Sequence, residues 1–508
     1  MINVVTQSGA SLDGATLEGS AGSLGERSGR AVFGRQFANG VDLALAGRVE
    51  RSDGNEKLYF GAFDSGATNA GIAEHLDGQE VANLYGRAAL RGLTVTGLVR
   101  HRLKYVPTAS FFTVFNHQTP REQTVNGHAM LGAEYARAVG KTWLTADLSV
   151  DRWHYEGVYP FAPASAGDPT LVNDDGYVGV RWAGGMHLTR PLPGHQTLTA
   201  GAEVLANVTQ RQFSGFSDPS VEGFDIDKPS NQTAFYVQDE IRVRPWLLLN
   251  GGIRHDRHEE FAKTSPRGAV IVLPSQEQSF KYLYGRAFRA PNAYELYYYE
   301  RTVTRSLRPE SMSTHELAWE RYAGEWLRTS VSAYHSTATD LLKLQLLDPD
   351  AEAFDGLAFL NCGVVRNRGL VFEAEVRTKR GLHAAGHVAL QRARNEMGEP
   401  LTNAPGTLAN ARFSAPGPLR GSLVGLEVQY VGSRPTIAGT TVGGVTLAHL
   451  TISTPLGAGL ELFGTVRNFF DTAHRDPASE EHAMDAIAEN GRTVRAGIRW
   501  RFARANTR

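Results

Sequence analysis

The feature that most restricts this chain is a two-residue alternation of apolar and polar side chains that restarts almost from end to end. Val41, Leu43, Leu45, Gly47 and Val49 alternate with Asp42, Ala44, Ala46, Arg48 and Glu50. Leu144, Ala146, Leu148 and Val150 alternate with Thr145, Asp147, Ser149 and Asp151. The last run, Val494, Ala496, Ile498, Trp500 and Phe502, alternates with Arg495, Gly497, Arg499 and Arg501. Successive side chains of a strand point to opposite faces, so each run is a strand with one apolar and one polar face. A soluble sheet with one wet face would share this pattern. So many strands, however, would need a second sheet to cover them, and the apolar positions are rich in Gly and Ala.

The connections carry a second pattern. Short turns occur at Ala38-Asn39-Gly40, Leu90-Arg91-Gly92, Val139-Gly140-Lys141, Leu192-Pro193-Gly194, Lys379-Arg380-Gly381 and Leu456-Gly457-Ala458. Gly, Asn and Pro supply the backbone angles that tight turns need. Between them lie long polar segments, at about 52–80, 107–124, 154–174, 212–231, 290–312 and 342–361. The strands predicted are 15–24, 28–37, 41–51, 81–90, 92–105, 124–138, 141–154, 175–190, 196–211, 231–244 and 246–260. The second half gives 266–273, 277–289, 313–322, 326–340, 361–379, 382–396, 405–415, 419–433, 443–455, 459–470 and 491–502. The expected fold is all-β: a transmembrane antiparallel up-and-down β-barrel of about 22 strands, with short periplasmic turns and long extracellular loops.

Composition agrees with a barrel and excludes other classes. The chain has 508 residues, a length that would otherwise suggest several globular domains. Mean hydropathy is −0.29, and no run of 18 or more apolar residues marks a membrane helix. A barrel hides its membrane character because lipid-facing and lumen-facing residues cancel in the average. A net charge of −1 offers no basic excess for nucleic acid. Cys362 is the sole cysteine, so no internal disulfide or cysteine-rich metal site can form. His255 and His258 flank Asp256, but 255 and 256 face opposite sides of a strand, and no metal site is expected there. No G-x-S-x-G elbow or paired-acid constellation marks an enzyme, so neither catalytic residues nor a cofactor are expected.

Several blocks, in order, resemble the TonB-dependent outer-membrane receptors. Ala234 to Ile241, with Gln238, Asp239 and Glu240, resembles the mid-barrel hairpin of that family. Tyr284 to Pro291, with Arg286, Arg289 and Pro291, followed by Tyr294-Glu295-Leu296-Tyr297, resembles its best-marked strand-to-loop signature. Pro309-Glu310 opens the next strand, and Val466 to Asp471, with Asn468 and Asp471, and the closing strand ending at Phe502 fit the C-terminus. These motif residues are expected to shape the barrel rather than touch cargo. The resemblance implies a receptor that takes up a scarce nutrient, an iron–siderophore complex by default and cobalamin as the alternative. It implies energy from a TonB-type complex, and contact with outer-membrane lipids and the barrel-assembly machinery.

Ile2-Asn3-Val4-Val5-Thr6 resembles the last strand of the family's plug domain. The division expected is therefore 1–12 as the end of a plug and its linker, 13–502 as the barrel and 503–508 as a tail. No signal peptide is read at Met1. A chain starting this late leaves a passive porin-like channel and a non-functional gene remnant as further readings. The candidate ligand contacts are Tyr294, Tyr297, Tyr298, Tyr299 and Arg301, on a long loop, where rings and a guanidinium suit a catecholate or planar ligand. The same tyrosines would also serve an aromatic girdle at the membrane interface.

Overall fold

A computed structural model describes residues 5–163, 165, 167–299, 306–347 and 356–503. Twenty-two antiparallel strands run round one closed sheet, each paired with its sequence neighbour. The first six are β1 (Gly14–Gly22), β2 (Arg27–Gln36), β3 (Asp42–Ser52), β4 (Gln79–Leu90), β5 (Leu93–Tyr105) and β6 (Gln123–Val139). Then come β7 (Thr142–Phe161), β8 (Leu171–Leu192), β9 (Gln196–Phe216), β10 (Ser230–Arg244), β11 (Leu247–His258) and β12 (Ala262–Ser275). They are followed by β13 (Gln278–Arg289), β14 (Glu310–Ala323), β15 (Leu327–Thr339), β16 (Val364–Arg377) and β17 (His383–Arg394). The last five are β18 (Thr407–Pro416), β19 (Leu423–Val431), β20 (Val445–Gly457), β21 (Leu460–Arg467) and β22 (Thr493–Ala503). A short strand, Phe224–Asp227, adds to the same sheet by pairing with β9 above the wall.

β1 pairs with β22, from Gly14 opposite Ala503 to Gly22 opposite Arg495, and this seam closes the barrel. Closure satisfies every strand edge, which is what a β-structure in lipid requires. The alternation in the sequence becomes the two faces of the wall. Leu84 (60% exposed), Leu131 (57%) and Leu317 (62%) point outward. Inward positions carry ion pairs: Arg87 with Asp42 at 2.9 Å, Lys281 with Glu320 at 2.8 Å, and Arg499 with Glu18 at 2.9 Å and Glu461 at 2.7 Å.

Short turns gather at one rim. The β4–β5 turn is the two residues Arg91 (φ 51°) and Gly92 (φ 88°), the left-handed pair that matches the twist of a hairpin. The chain enters at this rim. Residues 9–12 form one helical turn, α1 (Gly9–Leu12), laid on the lumen face of β2 and β3. Asp42 fixes it by accepting the backbone N–H groups of Gly9 (2.8 Å) and Ala10 (2.7 Å). The fit needs Gly34, where an added Cβ would sit 2.3 Å from the Leu12 Cβ.

At the other rim the wall rises beyond the expected strands. β7, β8 and β9 run on through 154–161, 171–174 and 212–216, segments expected to be loop. Cross-strand polar contacts allow it: buried Asn173 donates to Ser214 Oγ (2.8 Å) and to the Gly215 carbonyl (3.0 Å). The loop expected at 342–361 likewise contains a hairpin, Leu342–Leu346 paired with Leu357–Asn361. Loops from three connections share a small apolar core of Phe60, Ala73, Leu76, Ala109 and Phe115, with Met484 and Ile487 packed against it. Phe63 stacks on Phe115 with centroids 4.3 Å apart.

Candidate functional site

The strand-to-loop signature after β13 builds a short helix at the loop-bearing mouth. Asn292 caps α2 (Ala293–Tyr297): its side chain accepts the Glu295 N–H at 2.9 Å, and Glu295 accepts the Asn292 N–H at 2.9 Å. This reciprocal capping box satisfies two helix N-terminal donors. Glu295 also receives both guanidinium arms of Arg289, at 2.9 and 2.8 Å, while Arg289 Nε bonds Glu310 at 2.6 Å. Glu310 in turn accepts the Leu342 N–H at 2.7 Å. One arginine thus ties a strand end, a helix start and the next strand together, and a bidentate pair adds angular precision.

The helix presents a cluster of rings. Tyr294 lies 4.7 Å from Tyr298 and 5.8 Å from Tyr299 between centroids, and Phe359 lies 5.7 Å from Tyr294. Phe224 meets Tyr298 edge-on at 5.0 Å. Tyr298 donates to Asp175 Oδ2 at 2.6 Å, and Gln212 donates to the Ala293 carbonyl at 2.9 Å. Asp175 and Gln212 face the lumen, because their strands alternate with outward Trp182 and Phe213. The cluster therefore packs on the inner wall of the mouth, away from the outward belt where an interface girdle would sit. Burial, with the neighbouring hydroxyls and Asp175, pushes the Tyr294 and Tyr298 phenols well above the ordinary tyrosine range, so both stay protonated donors. Tyr297 stands to one side, its hydroxyl 3.5 Å from Glu260 and its ring 5.5 Å from the Lys228 amine. Arg301 lies outside the described residues.

The other motif residues are spread over the wall. Gln238 accepts from Arg267 about midway along the wall, Asp239 and Glu240 follow it on β10, and Pro309 precedes β14. Asn468, buried with φ 47°, makes side-chain bonds to the Thr472 N–H and carbonyl, both 2.9 Å. Asp471 (φ 57°) accepts the Arg492 N–H at 2.7 Å, joining the two ends of the last loop. Phe502 faces outward beside Trp500, with centroids 4.0 Å apart. Arg286 also faces outward, on the row above Tyr284.

The sequence reading missed a second aromatic group at the mouth. Phe111 (φ 55°) and Phe112 (φ 64°) sit in left-handed backbone, and Phe112 is 79% exposed. Such strain persists only where surrounding structure enforces it. Phe111 is held by its N–H to the Glu481 carbonyl (2.8 Å) and by Tyr159, 5.6 Å away edge-on. The only hint in the sequence was a pair of phenylalanines inside a polar loop. Beneath it Glu122 is buried, receiving the hydroxyls of Ser110 and Thr113 (2.7 Å). Burial pushes its carboxyl up to about 6, against the lowering pull of those bonds.

On the lumen side of the seam, a cleft of about 590 Å³ is lined by Glu18, Arg30, Arg48, Glu461, Arg495 and Arg499. Among the described residues no group of three or more His, Cys, Asp or Glu is placed to hold a metal ion. His255 bonds Thr264 at 3.0 Å on the outer face, whereas Asp256 faces inward to Arg254.

A closed wall of 22 strands, apolar outside and ion-paired inside, turned tightly at one rim and roofed by packed loops at the other, is an outer-membrane receptor barrel. The TonB-dependent receptor-like β-barrel family profile matches residues 77–469, and the chain belongs to that family. No curated protein matches it. Among solved structures, the pyoverdine receptor FpvA of Pseudomonas aeruginosa PAO1 superposes with a TM-score of 0.77 at 13% identity, covering 96% of this chain and 78% of that one. The ferric-catecholate import receptor Fiu of E. coli K12 gives 0.74 at 12% identity, over 96% and 82%. The copper transporter OprC gives 0.73 at 14%, over 96% and 80%. At these identities the likeness shows the fold and leaves the cargo open.

Proposed function

We propose that this barrel is the outer-membrane receptor for a ferric siderophore, which it takes up with energy from a TonB-type complex. The observation that carries the cargo assignment is the ring cluster of Tyr294, Tyr298, Tyr299 and Phe359 on the inner wall of the mouth. Aromatic faces next to hydroxyl donors suit the flat rings and anionic oxygens of a catecholate complex. The solved relatives whose titles name ferric catecholate and pyoverdine point the same way. Arg289 holds α2 in register through Glu295 and Glu310, so its role is to position the rings. Residues up to 12 are the link by which a plug domain joins the barrel, and the seat of α1 on the lumen wall supports that reading.

The test is fluorescence titration of the purified barrel with ferric catecholate, ferric hydroxamate and cobalamin. The proposal expects saturable quenching by a ferric siderophore, weakened about tenfold in Tyr298→Ala, the loss of one stacked ring with its hydroxyl. Saturation by cobalamin alone would reassign the cargo.

A further inference from the structure

The outer face of the barrel carries charge where lipid should meet it. The register places Tyr284, His315, His335, Arg368 and Arg392 in one row across β13 to β17. Ring contacts confirm that this row shares a face: Tyr284 and His315 have centroids 4.9 Å apart, and the Tyr282 hydroxyl lies 2.9 Å from His315 Nδ1. The next row toward the loops holds Arg366 and Arg394 side by side. The row below is apolar, with Leu370 opposite Leu390, and beneath it Phe372 opposite Val388. All four are 39–44% exposed, as wall residues facing lipid are.

Cationic side chains cluster here with no carboxylate paired to Arg366, Arg368 or Arg392 among the described residues. Residues directly opposite on one face stand about 5 Å apart and those two along a strand about 7 Å apart, so Arg366, Arg368 and Arg392 crowd into one patch with His335. Arg394 is tied to the Gly398 carbonyl, but the side chains of Arg366, Arg368 and Arg392 make no hydrogen bond or ion pair among the described residues. Neither row contains a carboxylate. Elsewhere at this rim outward arginines are paired: Arg51 has Asp53 and Glu80 at 3.6 Å each, and Arg211 has Asp225 at 2.6 Å. Charge on the lipid face of a barrel is costly and is tolerated near the interface. Three unpaired guanidinium groups repel one another unless an anion sits among them.

We propose that this patch binds a phosphorylated lipid of the outer leaflet, with its phosphate among Arg366, Arg368 and Arg392 and its acyl chains on the apolar rows below. Arginine suits this role because its fork of donors matches phosphate oxygens in pairs. Its long stem lets the head reach the headgroup layer while the methylenes stay in contact with lipid. The apolar rows one step beneath distinguish a lipid from free phosphate, which would gain nothing from Leu370, Leu390 or Phe372. The inference is independent of the cargo.

The experiment is native mass spectrometry of the detergent-purified full chain, titrated with bisphosphorylated lipid A, dephosphorylated lipid A and inorganic phosphate. The proposal expects one retained equivalent of the phosphorylated lipid and little of the dephosphorylated one. It also expects the triple variant R366Q/R368Q/R392Q to lose roughly fivefold in affinity per arginine removed, with R366K/R368K/R392K, which keeps the charge and loses the fork, falling between it and the unaltered chain. Heat-modifiable migration on gels checks that each variant is folded, and the single variant Arg368→Gln gives the same reading if the triple does not assemble. Equal binding of the two lipids, unchanged binding in the glutamine variants, or complete displacement of the lipid by inorganic phosphate would overturn the assignment.

Discussion

Two acidic side chains show how much depends on what surrounds a carboxylate. Asp42 accepts two backbone N–H groups of α1 and pairs with Arg87 at 2.9 Å, so it is satisfied on every side. Replacing it with Ala leaves those donors and a half-buried guanidinium unpaired, at a cost of about 2 kcal/mol. Limited proteolysis should then cut residues 5–13 faster, with the barrel intact. Glu122 is the opposite case, a carboxyl raised from the ordinary 4.5 to about 6 by burial under the Ser110–Thr113 turn. The folded loop holds this proton more tightly than the open loop. Its stability is therefore greatest below about pH 4.5, falls as pH rises to about 6 and is flat above, a loss of about 2 kcal/mol. Hydrogen exchange of amides 107–122 measures it, once intrinsic rates are removed. Glu122→Gln should abolish the pH dependence and protect the loop at pH 7; exchange that slows with rising pH would contradict the account.

At the level of elements, the strands were the most readable part of the chain. Each of the 22 runs expected from alternation corresponds to a wall strand, because facing lipid on one side and water on the other forces a strict period of two. What misled the reading was the wall above the membrane. There β7, β8 and β9 rise past the lipid and their inner side is covered by loops that bond to polar groups, so Asn173, Asp175 and Gln212 hold strand without the apolar alternation of the wall. The mouth was half legible. The motif placed Tyr294, Tyr297, Tyr298 and Tyr299 on a loop, but not its folding back onto Asp175, 123 positions away for Tyr298. Such a contact is set by register around the barrel and leaves no local trace. The basic patch was invisible for the same reason, since Arg368 and Arg392 meet only when β16 and β17 pair. The seam between first and last strands is also a test at this scale. Arg499 bridges Glu18 and Glu461 across it, with about a quarter of its side chain exposed to the lumen (26%). Arg499→Ala should lower closure stability by roughly 1 kcal/mol, discounted for water in the lumen, seen as a lower temperature for the heat-modified gel shift. No change in that temperature would mean the backbone ladder alone holds the seam.

For the molecule as a whole, the two faces of one sheet divide the work. The outward face meets lipid through leucine, valine and aromatic rows, and the inward face lines a wide lumen with paired charges. The loops over one rim build their own small core around Phe60 and Phe115, which gives the mouth a defined shape. Aromatic groups then stand at that mouth: the Tyr294–Tyr299 cluster on the wall and Phe111 with Phe112 at a strained loop tip. The measurement that bears most directly on this account is uptake of radiolabelled iron, supplied as a ferric siderophore, by cells carrying or lacking this protein, with and without a working TonB complex. The account predicts accumulation that needs both the protein and TonB and falls with Tyr298→Ala. Uptake that is the same without the protein, or that persists without TonB, would contradict it.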